Sequence, residues 1–194
     1  MTGSKAFITL VAAVAVGAGA WLWHASAGPQ AVLDLADRSV DPFAAADAKA
    51  TVLVFVRTDC PISNRYAPEM RRLFDLYAPR DVAFWLVYVD PTETAAEIGH
   101  HLAEYDYPLP ALRDMRHALV DMSEVAVTPE AAVFAPDGEL IYRGRIDNRY
   151  TDFGKGRAAP TRRDLEEALD AVLAGRPLSQ ARTPAVGCYI EDLR

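Results

Sequence analysis

The feature that most constrains this chain is an apolar strand that runs into a helix through a cysteine. Residues 51–56 have the pattern of a buried strand, and Pro61 suits the first position of the helix that follows, where an N–H would have no partner. Cys60 lies at this junction, where free N–H groups and the helix dipole favour a thiolate. The sequence therefore predicts a nucleophilic cysteine. A buried cysteine that packs as an apolar side chain is the alternative.

The N-terminal segment differs in composition from the rest of the 194 residues, which are enough for one domain with a sizeable core. After Lys5, residues 6–23 are almost entirely apolar, and residues 25–27 have the small-x-small pattern of a signal peptidase site. Residues 1–27 are thus predicted to be a signal peptide or a membrane anchor built on an apolar helix, with a buried core helix as the remaining interpretation. Either export signal places residues 28–194 in the periplasm or another extracytoplasmic space, where disulfides persist.

The net charge of −7 argues against nucleic acids and anionic membrane surfaces as partners. Beyond the N-terminal segment we predict a linker over 28–48, an α/β domain over 49–176, and a C-terminal tail over 177–194 that carries Cys188. The predicted strands cover 51–56, 82–89, 111–113, 131–134 and 140–142. The predicted helices cover 61–77, 95–105, 115–122 and a last stretch that Thr161 caps. A parallel β-α-β start followed by an antiparallel hairpin predicts one central mixed sheet with helices on both faces.

Thr128 and Pro129 stand immediately before the first strand of the predicted hairpin. This element order, with a cysteine at the first strand-to-helix turn, resembles the three-layer thioredoxin fold, in which a cis-proline precedes the hairpin beside the active cysteine. The resemblance implies a cis Thr128-Pro129 bond, with Pro129 as the wall of a substrate groove. A trans proline that opens an edge strand is the alternative.

Two segments resemble the redoxin branch of that superfamily, which includes alkyl hydroperoxide reductase/thiol-specific antioxidant proteins and exported thiol–disulfide oxidoreductases. They are residues 59–69, Asp-Cys-Pro-Ile-Ser-Asn-Arg-Tyr-Ala-Pro-Glu, and residues 183–190, Thr-Pro-Ala-Val-Gly-Cys-Tyr-Ile. The resemblance spans about residues 49–190. It implies a thiol–disulfide oxidoreductase in which Cys60 attacks a protein disulfide or a small oxidant and a thiol donor restores it, without a cofactor or metal. A thiol peroxidase and a non-enzymatic domain that binds copper or a partner are the alternatives.

The second thiol of the predicted cycle lies far from the first in sequence. Dithiol thioredoxins have Cys-x-x-Cys, but Ser63 holds the second position here and cannot close a disulfide with Cys60. A thiolate that has attacked a disulfide needs another thiol to release it, and Cys188 is the candidate. A permanent structural disulfide and two independent thiols are the competing interpretations. The Ser63 hydroxyl, on the first helical turn, is a candidate hydrogen-bond donor to the Cys60 sulfur.

The residues around the cysteine depart from the peroxiredoxin pattern in two places. Typical peroxiredoxins carry a proline seven residues before the peroxidatic cysteine and a threonine or serine three residues before it. Leu53 and Arg57 hold these positions here, and Thr58 is an incomplete substitute one residue later. Efficient peroxide reduction is therefore less expected than thiol–disulfide exchange.

Two adjacent histidines, His100 and His101, lie in the second predicted helix. Adjacent helical residues point about 100° apart, so the two do not chelate one ion together. We expect both to be exposed. A Cu(I) site built from Cys60, Cys188 and one histidine is the remaining metal interpretation, because soft thiolates suit Cu(I).

Overall fold

The computed structural model describes residues 32–191. The predicted signal peptide or anchor over 1–27, with its apolar helix, lies outside the described residues. Within the described part, no helix combines the length and the apolar character that crossing a bilayer requires. The helices are α1 (Pro61–Arg65), α2 (Ala67–Tyr77), α3 (Ala95–Glu104), α4 (Ala118–Ser123) and α5 (Asp164–Leu173). The strands are β1 (Val32–Leu33), β2 (Ser39–Val40), β3 (Ala50–Val56), β4 (Val82–Tyr88), β5 (Ala111–Arg113), β6 (Val127–Thr128), β7 (Glu130–Phe134), β8 (Leu140–Gly144), β9 (Tyr150–Asp152), β10 (Lys155–Gly156) and β11 (Cys188–Tyr189).

Seven of these strands form one mixed sheet in the order β2-β1-β5-β4-β3-β7-β8. The pairs β3–β4 and β4–β5 are parallel, whereas β3–β7 and β7–β8 are antiparallel. This is the α/β thioredoxin-like fold with a central mixed sheet that the sequence predicts. The remaining described strands form two small sheets, β9–β10 and β6–β11.

Strand β3 lies in the middle of the sheet, and all seven of its residues are buried. Val52 and Val54 pack into the core on the face covered by α2 and α5, whereas Leu53 and Phe55 pack into the core on the face covered by α4. Alternate side chains of a strand point to opposite faces, so a strand covered on both sides has to be apolar throughout. This strand ends next to Cys60.

The helix predicted over 61–77 is interrupted at Tyr66, which separates α1 from α2. Pro68 explains the interruption, because its ring nitrogen cannot donate to the Asn64 carbonyl and its ring crowds that position. After the break, Met70, Leu73 and Tyr77 form the buried stripe of α2. The cysteine therefore precedes a five-residue helix of its own.

The segment predicted as a linker contributes to the sheet. Within its described part, β1 and β2 form an antiparallel hairpin, and Leu33 of β1 pairs with Arg113 of β5. Asp34 closes the hairpin turn by accepting from the N–H groups of Ala36 and Arg38 at 2.8 and 2.9 Å. Strands of two residues carry too little periodicity to be recognised from sequence.

Helix α3 begins at Ala95 as predicted, with Thr94 as its cap in a capping box with Glu97. The starts of α4 and α5 differ from the predictions. The Asp114 carboxylate accepts from three N–H groups at the start of α4, which begins three residues later than predicted. Helix α5 begins at Asp164, and Thr161 instead accepts from the Asn148 amide at 2.8 Å.

Candidate active site

Cys60 lies at the N-cap of α1, and its side chain is fully buried. Its sulfur accepts from the Ser63 N–H at 3.5 Å. The Ser63 side chain is itself buried, and its hydroxyl oxygen has no well-aligned hydrogen bond within residues 32–191. The strand-to-helix junction therefore places the cysteine and Ser63 on one turn, as predicted.

The Thr128-Pro129 bond is cis, as the thioredoxin-like resemblance implies. It lies beside the cysteine, because the Cys60 thiol donates to the Thr128 carbonyl oxygen at 3.1 Å. Strand β6 has two residues and ends at Thr128, so the Cys60 thiol bonds the last carbonyl of this strand.

The C-terminal tail returns to the same place. Strand β11 pairs antiparallel with β6, with Cys188 opposite Thr128 and Tyr189 opposite Val127. Further back along the tail, the Thr183 hydroxyl exchanges a hydrogen bond with the Tyr142 hydroxyl at 2.8 Å and accepts from the Arg145 N–H at 3.2 Å. The Cys188 thiol, half-buried, thereby reaches hydrogen-bonding range of the Cys60 sulfur. Both cysteines are in the thiol form in this structure.

The two thiols have opposite tendencies to ionise. Burial opposes the Cys60 thiolate, but the Ser63 hydroxyl and N–H, the Cys188 thiol and the Thr128 side chain favour it, outweigh burial and lower the pKa of Cys60. Burial raises the pKa of Cys188 to about 11, assisted by its hydrogen bond to Cys60 and by the charge on that sulfur. Cys60 is therefore the more readily ionised thiol of the pair, and Cys188 is protonated at neutral pH.

A polar network that the sequence did not suggest lies behind the active-site loop. The Thr58 N–H donates to a carboxylate oxygen of Glu93 at 2.7 Å, and the Asn64 amide donates to the Thr58 carbonyl at 3.0 Å. Asn64 in turn accepts from His101 at 2.9 Å, and the other ring nitrogen of His101 bonds the Tyr88 hydroxyl at 2.8 Å. The hydrogen bonds of Thr58 thus join it to Glu93 and Asn64.

The expectation that His101 is exposed is wrong, because only 4% of it is accessible. Its ring packs against Tyr105 and Tyr107, with ring centroids 4.8 and 5.7 Å away. Burial lowers the pKa of His101 and keeps the ring neutral. His100, on the adjacent helical position, is exposed as predicted. A helix of mixed polarity gives no local signal of which of two adjacent histidines faces inward.

Arg57 marks the rim of the site. Its guanidinium bonds Asp59 and Asp90, each at 3.1 Å. A cavity of about 600 Å³ beside it is lined by Thr58, Asp59, Asp90, Thr92, Glu93, Ala96, Glu97, His100, His101, Glu104 and Tyr105. The rim is therefore acidic, and Arg57 is neutralised by its two carboxylates. Across residues 32–191, no group of three or more His, Cys, Asp or Glu side chains is arranged to hold a metal ion.

The sequence profile of the AhpC/TSA family matches residues 29–143, more than half of the chain. The chain belongs to the AhpC/TSA family. It is a redoxin of the thioredoxin superfamily, a group of thiol-based oxidoreductases. The match includes the β1–β2 hairpin as well as the cysteine junction. No curated protein matches the chain significantly.

Solved structures share the redoxin architecture. An uncharacterised conserved protein from Geobacillus kaustophilus is 27% identical, with a TM-score of 0.73 over 84% of this chain and 88% of that one. A hypothetical protein from Sinorhizobium meliloti is 24% identical, with the same TM-score over 83% and 89%. A secreted disulfide oxidoreductase from Mycobacterium tuberculosis, homologous to E. coli DsbE, is 18% identical, with a TM-score of 0.50 over 76% and 96%. The last two likenesses concern the fold.

All five predicted site residues come from three neighbouring parts of this redoxin. Cys60, Thr58 and Ser63 belong to the β3–α1 junction, Pro129 follows β6, and Cys188 belongs to the tail strand. The structure brings Cys60, Ser63, Pro129 and Cys188 together around one sulfur, whereas Thr58 bonds Glu93 and Asn64. Their roles in a reaction stay predictions.

Proposed function

We propose that this redoxin is a thiol–disulfide oxidoreductase in which Cys60 attacks and Cys188 resolves. The observation that carries the proposal is the pairing of Cys188 with Thr128, which brings a protonated thiol to the sulfur of a cysteine with a lowered pKa. An attacking thiol has to be ionised, and a resolving thiol has to lie within reach of the mixed disulfide.

The reaction follows from this asymmetry. The Cys60 thiolate attacks one sulfur of a substrate disulfide and forms a mixed disulfide, while the other substrate sulfur leaves as a thiolate. The charge on Cys60 is then gone, so the interactions that raise the pKa of Cys188 weaken. Cys188 loses its proton and attacks the Cys60 sulfur, which releases the second substrate thiol and leaves a Cys60–Cys188 disulfide. A thiol donor reduces that disulfide and restores the enzyme.

The proposal is tested by trapping each step in the full chain with purified Cys60→Ser and Cys188→Ser variants. The wild type should reduce a protein disulfide such as that of insulin with a dithiol donor, and Cys60→Ser should lose that turnover. Cys188→Ser should accumulate a covalent substrate adduct on Cys60, which mass spectrometry identifies. Turnover that persists in Cys60→Ser would refute the proposal.

Two further measurements separate the rival roles of the cysteines. The first is the reduction potential of the Cys60–Cys188 disulfide in graded redox buffers. A potential well above about −300 mV supports a catalytic pair, whereas a lower potential indicates a structural disulfide. Consumption of hydrogen peroxide that exceeds disulfide turnover and requires Cys60 would indicate a thiol peroxidase instead. The ion pairs of Arg57 with Asp59 and Asp90 favour thiol–disulfide exchange over peroxide reduction, because they neutralise the charge of the arginine that precedes Cys60.

The proposal also includes export from the cytoplasm. Its support is the sequence alone, namely Lys5, the apolar run over 6–23 and the small residues at 25–27. The partners would then be disulfides and thiol donors of an extracytoplasmic space, with residues 6–23 as a membrane anchor if they are retained. Cell fractionation with N-terminal sequencing tests this, and a cytoplasmic protein with residues 1–27 intact would refute it.

A further inference from the structure

The tail docks on β6 mainly through the main chain. Cys188 and Tyr189 pair with Thr128 and Val127, and the Ile190 N–H donates to the Ala126 carbonyl at 3.0 Å. The Tyr189 side chain is 82% exposed. Main-chain pairing of an extended segment with a short free strand edge is the way in which β-augmentation captures peptides.

One position of the docked tail is tightly restricted. At Gly187, a Cβ would overlap the carbonyl carbon and oxygen of Thr128, which are main-chain atoms that cannot rotate away. The same carbonyl accepts from the Cys60 thiol, and cis Pro129 follows it. A chain that brings a cysteine to this sulfur in this register therefore needs a glycine directly before that cysteine.

The docked tail also closes the site. Cys60 has 0% exposure, whereas the nucleophile of a disulfide exchange has to be reached by a substrate sulfur. Strand β11 occupies the edge of β6 from which that sulfur would be approached. A substrate and the tail therefore cannot hold the edge at the same time.

We propose that residues 183–190 occupy, within the same chain, a groove that receives an extended polypeptide whose cysteine directly follows a glycine, so that the tail competes with the substrate. This inference rests on the proposed function and names its substrate class. The residue after the substrate cysteine would lie where Tyr189 lies and face solvent, so it contributes little to selection. The glycine before the substrate cysteine contributes most to this selection.

The exchange of the two chains accounts for both chemical steps. The tail leaves β6, and the polypeptide binds there with its disulfide sulfur against Cys60. Attack by the Cys60 thiolate forms the mixed disulfide and releases the partner sulfur as a thiolate. When the tail regains β6, Cys188 loses its proton to solvent and its thiolate attacks the Cys60 sulfur. The Cys60–Cys188 bond forms, and the polypeptide leaves as a thiolate with the electron pair of the broken bond.

The test uses chromogenic mixed disulfides of thionitrobenzoate with two hexapeptides, Ala-Val-Gly-Cys-Tyr-Ile and Ala-Val-Ala-Cys-Tyr-Ile. The small disulfide of thionitrobenzoate itself is the third probe. Each reacts with the reduced full-length Cys188→Ser protein, so that the adduct on Cys60 is retained and verified by mass spectrometry. We expect the glycine peptide to react at least tenfold faster than the alanine peptide.

The Gly187→Ala substitution, in the same Cys188→Ser background, tests whether the tail competes with the substrate. It should detach the tail from β6 and raise the rate at which the glycine peptide reacts with Cys60 at least tenfold. Gly99→Ala is the matched control, because a Cβ there meets no atom within 4 Å and the rate should not change. Circular dichroism verifies that the variants are folded.

The outcomes separate this inference from the proposed function. If the small disulfide reacts while the two peptides react equally, the substrate class is refuted and the oxidoreductase proposal stands. If Gly187→Ala leaves every rate unchanged in a folded protein, the competition by the tail is refuted. If none of the three probes reacts with Cys60 in any variant, the proposed function itself fails.

Discussion

Cys188 lies directly opposite Thr128 in the ladder that joins the tail to the domain, and the carbonyl of Thr128 accepts the hydrogen bond of the Cys60 thiol. Two cysteines separated by most of the domain are thus brought together by main-chain pairing. The second thiol approaches from the side of the cis-proline, whereas Ser63 holds the helical position next to Cys60. The pair can therefore separate without any change in α1.

The pKa values predict the order in which the thiols react. In the reduced wild type, Cys60 should be alkylated in preference to Cys188 at pH 7, because the pKa of Cys60 is lowered and that of Cys188 is raised to about 11. Alkylation of Cys60 to a thioether, which Cys188 cannot displace, should then lower the pKa of Cys188, since its charged neighbour is gone. Peptide mapping after iodoacetamide treatment at a series of pH values measures the alkylation rate of each cysteine and hence its pKa, with the unfolded chain as control. Faster modification of Cys188 at pH 7 would contradict this.

Ser63→Ala should raise the pKa of Cys60, because both the hydroxyl and the N–H of Ser63 lower it and the variant loses the first. A hydrogen bond to a charged group contributes about 1.5–3 kcal/mol, so attack on a small disulfide at pH 6 should slow about tenfold. Ser123→Ala is the matched control, because Ser123 is equally buried but belongs to α4 on the opposite face of the sheet. Equal effects of the two substitutions would show that Ser63 acts through packing.

Thr183→Val should loosen the tail, since it removes the hydrogen bonds to the Tyr142 hydroxyl and the Arg145 N–H. Leaving buried polar groups unpaired costs about 1–3 kcal/mol, which denaturant unfolding measures. Alkylation of Cys60 should accelerate in the same variant. Thr151→Val, at an exposed site on β9, serves as control. A loss of stability without faster alkylation would make Thr183 a structural residue only.

His101 should make stability depend on pH in the acidic range. Its pKa is lowered in the folded state by burial, so the folded protein binds fewer protons than the unfolded chain. The stability is present above the unfolded value of about 6.5 and is lost as the pH falls from there through the lowered folded value. His101→Gln should remove this component, and His100→Gln should keep it. Unfolding free energies at pH 5 and 8 decide; identical pH dependence in both variants would contradict the assignment.

Glu69→Gln should weaken the contact between α2 and α5. The Glu69 carboxylate is 7% exposed and bonds Arg72 at 2.8 Å and Arg163 at 2.5 Å. Since both arginines remain partly solvated, we expect a loss of about 2 kcal/mol, below the usual cost of breaking a fully buried pair. Glu167→Gln removes an exposed pair with Arg162 and should cost less than about 1 kcal/mol.

The stability that Glu69 contributes should depend on pH. Burial raises the pKa of Glu69, but Arg72 and Arg163 outweigh burial, so its pKa is lowered. Its contribution is therefore present above the unfolded value of about 4.3 and is lost as the pH falls through the folded value. Wild type should lose more stability than Glu69→Gln between pH 5 and pH 3. Parallel loss in both would show that Glu69 is not linked to folding.

Much of the site could be predicted because its chemistry is local. A strand, a cysteine and a proline in succession determine where Cys60 lies, and Ser63 follows one helical turn later. These two inferences need only neighbouring residues and the periodicities of helix and strand. The cis form of the Thr128-Pro129 bond was implied by the resemblance to the thioredoxin fold.

Other parts depend on which distant groups meet, and no local pattern encodes that. Glu93 lies before α3, and no local pattern shows that its carboxylate accepts from the distant Thr58 N–H. His101 was expected to be exposed because helical histidines usually are, but the tyrosines that cover it, Tyr105 and Tyr107, come from the segment after α3. Gly187 carried no prediction of its own, and only the path of the tail across Thr128 shows that a side chain there would clash.

The break that Pro68 introduces at Tyr66 divides the helical layer into two units of unequal rigidity. Helix α2 is tied to α5 through Glu69, whereas α1 is a single turn between the break and the end of β3. The amide hydrogens of Ser63, Asn64 and Arg65 should therefore exchange with solvent through openings that leave α2 closed. Helix α1, which begins next to the reactive sulfur, can thus open locally while α2 stays folded.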